Sequence, residues 1–513
     1  MIVIYHTNTK IIETVTSDNQ KIEFDSGVTL ASGLMSIAKQ FPNKKIVWCH
    51  LAVKEYLDLE AIQILFHHNK MLLSFSSHEH TFFDRKIGYV EESLFIKVNK
   101  KVPYPTWQMS SVVGVVHASV LNTLQNKIVY DTNFDYYLSS IAKIGMPLGL
   151  LCYSEPRLLQ PGAFIKINKA SVYALFRFVK QHYKTRWVFL LFLNLVLYEN
   201  KFSIMPLLFS FFYKRRKNET INLDSILVQS SRQIIDTVTV DVIIPTIGRK
   251  NYLYDVLLDL KEQTVLPKNV IIVEQNPEIN SVSELNFLIT ETWPFNIKHT
   301  FTHQAGACNA RNLALNQVTS DWVFFADDDI RISKLFIQKT FQYIHKLGLK
   351  SVSISCLQKG EKQVFKNIFQ WGSFGSGCSF VFAEILNNCN FNMSYEFGFG
   401  EDSDFGMQIR NLGYDILYLP EPEITHLKAP IGGFRSKPVL EWHKDNIQPK
   451  PSPTVMLYLI LHTTQEQIFG YKTILFFKFY KHQNIKNPYR YFKMFQKQWN
   501  QSVFWANQLK ETS

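Results

Sequence analysis

Phe324-Phe325-Ala326-Asp327-Asp328-Asp329 is an apolar run that stops abruptly in three carboxylates. Such a run reads as a buried strand of a parallel sheet. Three adjacent acids repel one another, so a fold tolerates them where a cation or a solvated edge absorbs the charge. If the strand pitch continues, Asp327 and Asp329 share one face, where they could grip a hard divalent cation and, through it, a diphosphate. A solvated acidic turn would leave the same triplet, and the flanking sequence has to decide between the two.

Upstream, Val240-Asp241-Val242-Ile243-Ile244-Pro245-Thr246 reads as a strand and residues 251–263 as an amphipathic helix. Residues 269–274 read as the next strand, 307–317 as a short helix and 322–326 as the strand that ends in the acids. Strand and helix alternate at the spacing of βαβ units, which predicts an α/β region with a largely parallel sheet. Thr246, Glu274 and Asp327 to Asp329 then all fall at the carboxyl ends of strands, the edge where open α/β sheets bind ligands. Further strands are predicted over 351–356, 379–383 and 415–419, and a helix over 401–412 that Gly413 stops. From about residue 451 the chain turns helical, aromatic and basic.

The whole chain has 513 residues, room for two or three domains. Its apolar content of 46% excludes disorder, and the net charge of +12 biases it toward anionic partners. Six cysteines without a CxxC pair favour reduced thiols over zinc or a disulfide framework. The N-terminus has no basic, apolar leader pattern. The apolar stretch 187–198 is cut by Glu199-Asn200-Lys201 and falls short of the roughly 20 residues a membrane span needs. Buried helices account for it most simply. An interfacial helix pair, with Lys214-Arg215-Arg216-Lys217 as a clamp on anionic headgroups, is the other reading. A polar linker over 214–224 leads to expected domains at 1–225, 238–440 and 441–513.

Over about 200 residues the second region resembles a family 2 glycosyltransferase with the GT-A (Rossmann-like) fold. The resemblance is carried, in order, by Ile244-Pro245-Thr246 with Arg249, Val273-Glu274, Gly306-Ala307-Cys308-Asn309-Ala310-Arg311-Asn312 and the acidic triplet. Gly398-Phe399-Gly400-Glu401-Asp402-Ser403-Asp404 with Arg410, His426 and Gly432-Gly433-Phe434-Arg435 complete it. It implies a Mg²⁺ or Mn²⁺ ion on Asp327, Asp329 and His426, which would neutralise the departing diphosphate. It implies donor contacts from Thr246, Arg249, Glu274, Gly306, Arg311, Asn312, Asp327 and Arg435. Asp402, with Glu401 as runner-up, would take the proton of the acceptor hydroxyl. Glu274 departs from the family's commoner aspartate, which leaves the nucleobase open.

The reaction so implied is inverting transfer from a nucleoside diphosphate sugar to a glycan or lipid-linked acceptor, in cell-surface polysaccharide or lipopolysaccharide synthesis. It would run in the cytoplasm, at the inner face of a membrane. A non-catalytic glycan-assembly scaffold is one alternative. A nucleotidyltransferase is another, though residues 243–249 lack the density of glycine such enzymes carry after their first strand. No zinc finger or RNA-recognition motif points to nucleic acid.

The first half of the chain echoes the second. Residues 110–121 echo 375–386, 133–145 echo 401–413, 148–156 echo 416–422, and 30–50 have the helix-then-strand shape of 310–327. Trp48-Cys49-His50 stands where carboxylates are expected, and the Glu401-Asp402 pair has no counterpart in this reading. A degenerate GT-A-like domain, able to bind acceptor or to hold a dimer or membrane contact, is the expectation. Convergent α/β patterning would leave similar echoes.

Overall fold

The computed structural model describes every residue except 26, 77–80, 126, 164, 166–167, 217–220, 233–237, 430–437 and 512–513. The chain forms two compact units: Met1–Arg232 with Thr463–Phe477, and Gln233–His462 with Lys478–Ser513.

Among the described residues the second unit holds nine strands: β8 (Val240–Thr246), β9 (Asn269–Gln275), β10 (Asn296–Thr302), β11 (Trp322–Ala326), β12 (Ile330–Arg331), β13 (Ser351–Gln358), β14 (Phe369–Gln370), β15 (Cys378–Phe382) and β16 (Leu417–His426). Their order is β10-β9-β8-β11-β15-β13-β16-β12, with β14 also paired to β16. β10, β9, β8 and β11 run parallel, as expected of βαβ units. β15 runs against both its neighbours, so the sheet is mixed rather than largely parallel. β11 is buried throughout, which its Trp-Val-Phe-Phe-Ala sequence requires. β10 is a polar edge strand whose part-exposed residues lack the apolar signal that marks its neighbours.

An aromatic cluster sits directly behind the acidic triplet. Phe324 stacks on Phe380 at 4.5 Å between ring centres, while Phe325 meets Phe374 at 5.5 Å and Phe405 at 5.7 Å. Phe405 belongs to helix Glu401–Asn411, so this packing fixes that helix relative to the end of β11. The helix is further tied down by fully buried Arg410, whose Nη2 donates to the carbonyls of Trp371 (2.6 Å) and Ser373 (3.2 Å). Gly413 follows the helix with φ +92°, the left-handed stop its position predicts. Helices Pro453–His462 and Pro488–Glu511 confirm the helical reading of the C-terminal region.

The first unit holds β1 (Ile2–His6), β2 (Ile11–Thr16), β3 (Lys45–His50), β4 (Met71–Ser74), β5 (Tyr104–Pro105), β6 (Val113–His117) and β7 (Leu151–Ser154) in the order β2-β1-β3-β6-β4-β7-β5. The run β1-β3-β6-β4-β7 matches β8-β11-β15-β13-β16 in chain order and in sense: parallel, antiparallel, antiparallel, parallel. Register makes the correspondence residue by residue. Cys49 pairs with Val113 as Ala326 pairs with Cys378, so His50 holds the place of Asp327 and Ser111 that of Ser376.

One expectation is corrected here, because the acid pair does have half a counterpart. Asp135 is the second residue of helix Phe134–Gly145, as Asp402 is of Glu401–Asn411. It accepts from Ser111 N at 2.7 Å and Ser111 Oγ at 3.0 Å, and at the matching place the amide and hydroxyl of Ser376 act to lower the Asp402 pKa. Among its described residues the first unit has no counterparts of the parallel strands β9 and β10. In their place the hairpin strand β2 runs antiparallel to β1.

The apolar stretch after residue 186 is less buried than its composition predicts. Helix Arg186–Glu199 buries Val188, Leu191, Asn194 and Leu195 but leaves Phe189 and Leu197 exposed, and helix Ile204–Ser210 buries only Ser210. Among the described residues no helix is long and apolar enough to cross a membrane.

Candidate active site

The carboxyl ends of β8 and β11 open into a cavity of about 460 Å³ lined by residues from both halves of the second unit. Thr246, Arg249, Gly306, Arg311, Glu401 and His426 line it together with Asp327, Asp328 and Asp329. Sequence-distant groups thus converge as the strand-end argument requires.

The three acids have different surroundings. Asp328 is buried and accepts from Thr246 Oγ1 at 2.7 Å and Arg249 Nη1 at 2.6 Å. Burial nonetheless pushes its carboxyl up to about 6, against the pull of Arg249 and Thr246. Asp329 accepts from His426 Nε2 (3.1 Å) at one oxygen and from Ala429 N (2.9 Å) at the other. Its burial alone would raise its pKa, but the hydrogen bonds from His426 and Ala429, with the charge of Arg249, bring it below the usual carboxylate range. Asp327 is the most open of the three, with Arg311 Nη2 at 3.4 Å.

Ligand atoms of Asp327, Asp329 and His426 lie within 4.8 Å of one another. Two carboxylates and one imidazole suit a hard divalent ion of the Mg²⁺ or Mn²⁺ type. The backbone leaves room for the set, since a Cβ on Gly377 would collide with the Asp327 carboxylate. His426 is held protonated by its hydrogen bond to Asp329, which lifts its pKa to about 9 against the opposing effect of burial. Binding an ion there would release that proton.

Gly306 precedes helix Ala307–Leu315 with φ +148°, and a Cβ at this position would strike the Glu396 carboxylate. Glu396 accepts from the first free amides of the helix, Cys308 N (3.2 Å) and Asn309 N (2.9 Å). Arg311, on the same helix, stacks its guanidinium 5.4 Å from the centre of Phe391, and its buried Nε has no hydrogen-bond partner.

The two acids at the start of helix Glu401–Asn411 diverge. Glu401 lines the cavity, while the Asp402 carboxylate is held behind it by Ser376. Burial raises the pKa of both. Asp402 Oδ1 is a buried acceptor with no hydrogen-bond partner.

Glu274 and Asn312 do not line the cavity. Glu274 binds His299 Nε2 (2.9 Å) and Glu284 N (3.0 Å), and Asn312 is spent on both backbone groups of Phe391 at 2.8 Å. Arg435, with Gly432, Gly433 and Phe434, lies outside the described residues. Cavity residues that the sequence did not single out include Gln275, which accepts from Gly306 N at 2.7 Å, Tyr395, Glu396 and Lys428. Glu396 and Lys428 stand within five residues of quoted motifs, but nothing in their spacing signals a role. Gln275 adjoins Glu274.

Residues 241–393 match the model of glycosyl transferase family 2. No curated protein matches the chain. Among solved structures, S. aureus TarS 1–349 is 20% identical over 37% of this chain and 60% of its own, with a TM-score of 0.32. The chain thus spans less than two thirds of that structure. TarS 1–349 in complex with UDP-GlcNAc is 19% identical, over 48% and 72% of the two chains, at a TM-score of 0.34. GalNAc-T7 with UDP, GalNAc and Mn²⁺ is 12% identical, over 41% and 48%, at 0.31.

Proposed function

We propose that this chain, whose residues 241–393 belong to glycosyl transferase family 2, is an inverting, metal-dependent glycosyltransferase. The donor is a nucleoside diphosphate sugar. The acceptor is a glycan or lipid-linked sugar of cell-surface polysaccharide or lipopolysaccharide synthesis, reached from the cytosolic face of a membrane. The observation that carries this reading is the convergence of Asp327, Asp329 and His426 within 4.8 Å, on a cavity that also holds Arg311 and Glu401.

Asp327, Asp329 and His426 would hold a divalent ion, which would supply Lewis-acid stabilisation to the departing diphosphate. Arg311 adds a fixed guanidinium beside Asp327 that can hydrogen-bond donor oxygens. Gly306 lets the backbone approach the nucleotide, and Thr246 and Arg249 hold Asp328 at the floor of the site. Asp402 takes the proton of the attacking hydroxyl at its unpartnered Oδ1, its pKa raised by burial toward the working pH. Attack from the side opposite the leaving group inverts the anomeric carbon. Glu274, Asn312 and Arg435 remain donor contacts of the proposal, the first two through rearrangement of their present hydrogen bonds.

Isothermal titration of UDP or GDP in the presence of Mn²⁺ tests the reading. Binding is expected to need the ion and to vanish in Asp329→Ala. Nucleotide binding that is indifferent to the ion and to Asp329 would overturn it.

A further inference from the structure

We propose that the face formed by helices Val172–His182, Arg186–Glu199 and Ile204–Ser210 of the first unit docks on an anionic lipid surface. The exposed apolar side chains are contiguous. Tyr173 meets Phe209 at 5.7 Å, Phe209 meets Phe212 at 6.0 Å, and Phe189 meets Phe211 at 5.6 Å between ring centres. Phe212 is 83% exposed and Phe202 72%, so large aromatic side chains stand in solvent just before and just after helix Ile204–Ser210. The helices are too short to span a bilayer, so an apolar face of this kind belongs at the headgroup boundary.

Charge selects the occupant. Residues 172–216 carry eight lysines and arginines against one acid, Glu199, and Glu199 is already paired with Lys201 and Lys86. Lys184, Lys214 and Arg215 are exposed at the rim, and Lys180 Nζ lies 6.0 Å from the centre of the Phe211 ring. Aromatic side chains ringed by cations match a leaflet of anionic headgroups over acyl chains. A second copy of this chain, with a net charge of +12, would bring cations against cations. The inference stands apart from the glycosyl-transfer reading.

The test is co-sedimentation of the full chain with phosphatidylcholine vesicles, with and without phosphatidylglycerol, in the absence of any sugar nucleotide. Failure therefore bears on this face and leaves the catalytic reading untouched. Binding is expected only with phosphatidylglycerol and should decline as salt is raised. Two variants at exposed positions, Phe202→Ser/Phe212→Ser and Lys214→Glu/Arg215→Glu, should each weaken it about tenfold or more with unchanged thermal melting. Equal binding to both vesicle types, or binding that survives both variants, overturns the proposal. So does an absence of binding accompanied by an oligomer that Phe202→Ser/Phe212→Ser dissociates, which would assign the face to a second copy.

Discussion

Arg249 Nη1 lies 2.6 Å from Asp328 Oδ1 and 3.2 Å from Asp329 Oδ2. The mutual repulsion of three adjacent carboxylates is thus met first by a guanidinium built into the same sheet edge. That contact divides the triplet. Asp328 becomes a buried counter-charge, and the proposed ion falls to Asp327, Asp329 and His426. Burial opposes the charge on Arg249, but Asp328 and its neighbours raise its pKa, so the cation persists.

Arg249→Met should therefore act on stability before it acts on chemistry. Removing one partner of a buried pair costs about 3–5 kcal/mol when the other stays charged. Without Arg249, the folded-state pKa of Asp328 rises further above its unfolded value. A raised carboxyl pKa favours the folded state only at low pH, and that advantage is lost as pH rises through it. The loss of stability should accordingly be larger at pH 8 than at pH 5, and Asp328→Asn should recover part of it. Urea unfolding of the single and double variants at both pH values checks this. An equal loss at both, without recovery, would detach Arg249 from Asp328.

Much of this site could be read from the chain, for a physical reason. β8, β9 and β11 are apolar runs that end in polar residues, and a parallel sheet places such ends on one edge. β10 could not be read this way, because an edge strand buries little and its sequence is polar. Glu396 escaped because its partners are the backbone amides of Cys308 and Asn309, nearly ninety residues away in sequence. Asp135 escaped for a related reason. Its likeness to Asp402 lies in a shared helix position and a shared serine partner, which only strand register reveals.

Gly306→Ala should impair donor binding with modest effect on folding. The backbone there has φ +148°, which costs a residue with a Cβ about 1–3 kcal/mol, and the new methyl meets the Glu396 carboxylate. Displacing Glu396 frees the amides at the start of the helix that carries Arg311. Titration with nucleotide and Mn²⁺ should show weaker binding in Gly306→Ala, and Glu396→Gln should not reproduce the backbone strain. Unchanged affinity would mean that the loop has no part in the donor site.

The first unit should lose stability on mild acidification. Burial holds His6 at about 3, His67 at about 2 and His68 at about 3, all depressed from the ordinary 6.5. Above pH 6.5 these groups are neutral in both states, and their burial carries no proton cost. Below it the unfolded chain takes up protons that the folded chain refuses, and stability falls until the folded pKa values are reached. Each histidine adds a slope of up to about 1.4 kcal/mol per pH unit over that window. Denaturant midpoints between pH 7.5 and about 5 should fall, and His67→Gln should flatten the dependence by about one proton. A midpoint independent of pH over that range would contradict the buried neutral state.

The division of labour between Glu401 and Asp402 separates by two substitutions. Glu401 lines the cavity, whereas Asp402 is held by Ser376 with one buried oxygen unpartnered. A general base needs a free lone pair, and Asp402 Oδ1 is a buried acceptor with no hydrogen-bond partner. Loss of a general base slows the chemical step by about 10²–10⁴-fold. Asp402→Asn should fall in that range while binding nucleotide with Mn²⁺ as the parent does. Glu401→Gln should lose less rate, and any change should appear mainly in acceptor KM. Since burial raises the Asp402 pKa, the acid limb of the parent's pH–rate profile should lie above the ordinary carboxylate range. Steady-state kinetics across pH decide the assignment. If Glu401→Gln shows the larger loss in kcat and Asp402→Asn keeps the parent's profile, the base is Glu401 and Asp402 only positions its helix.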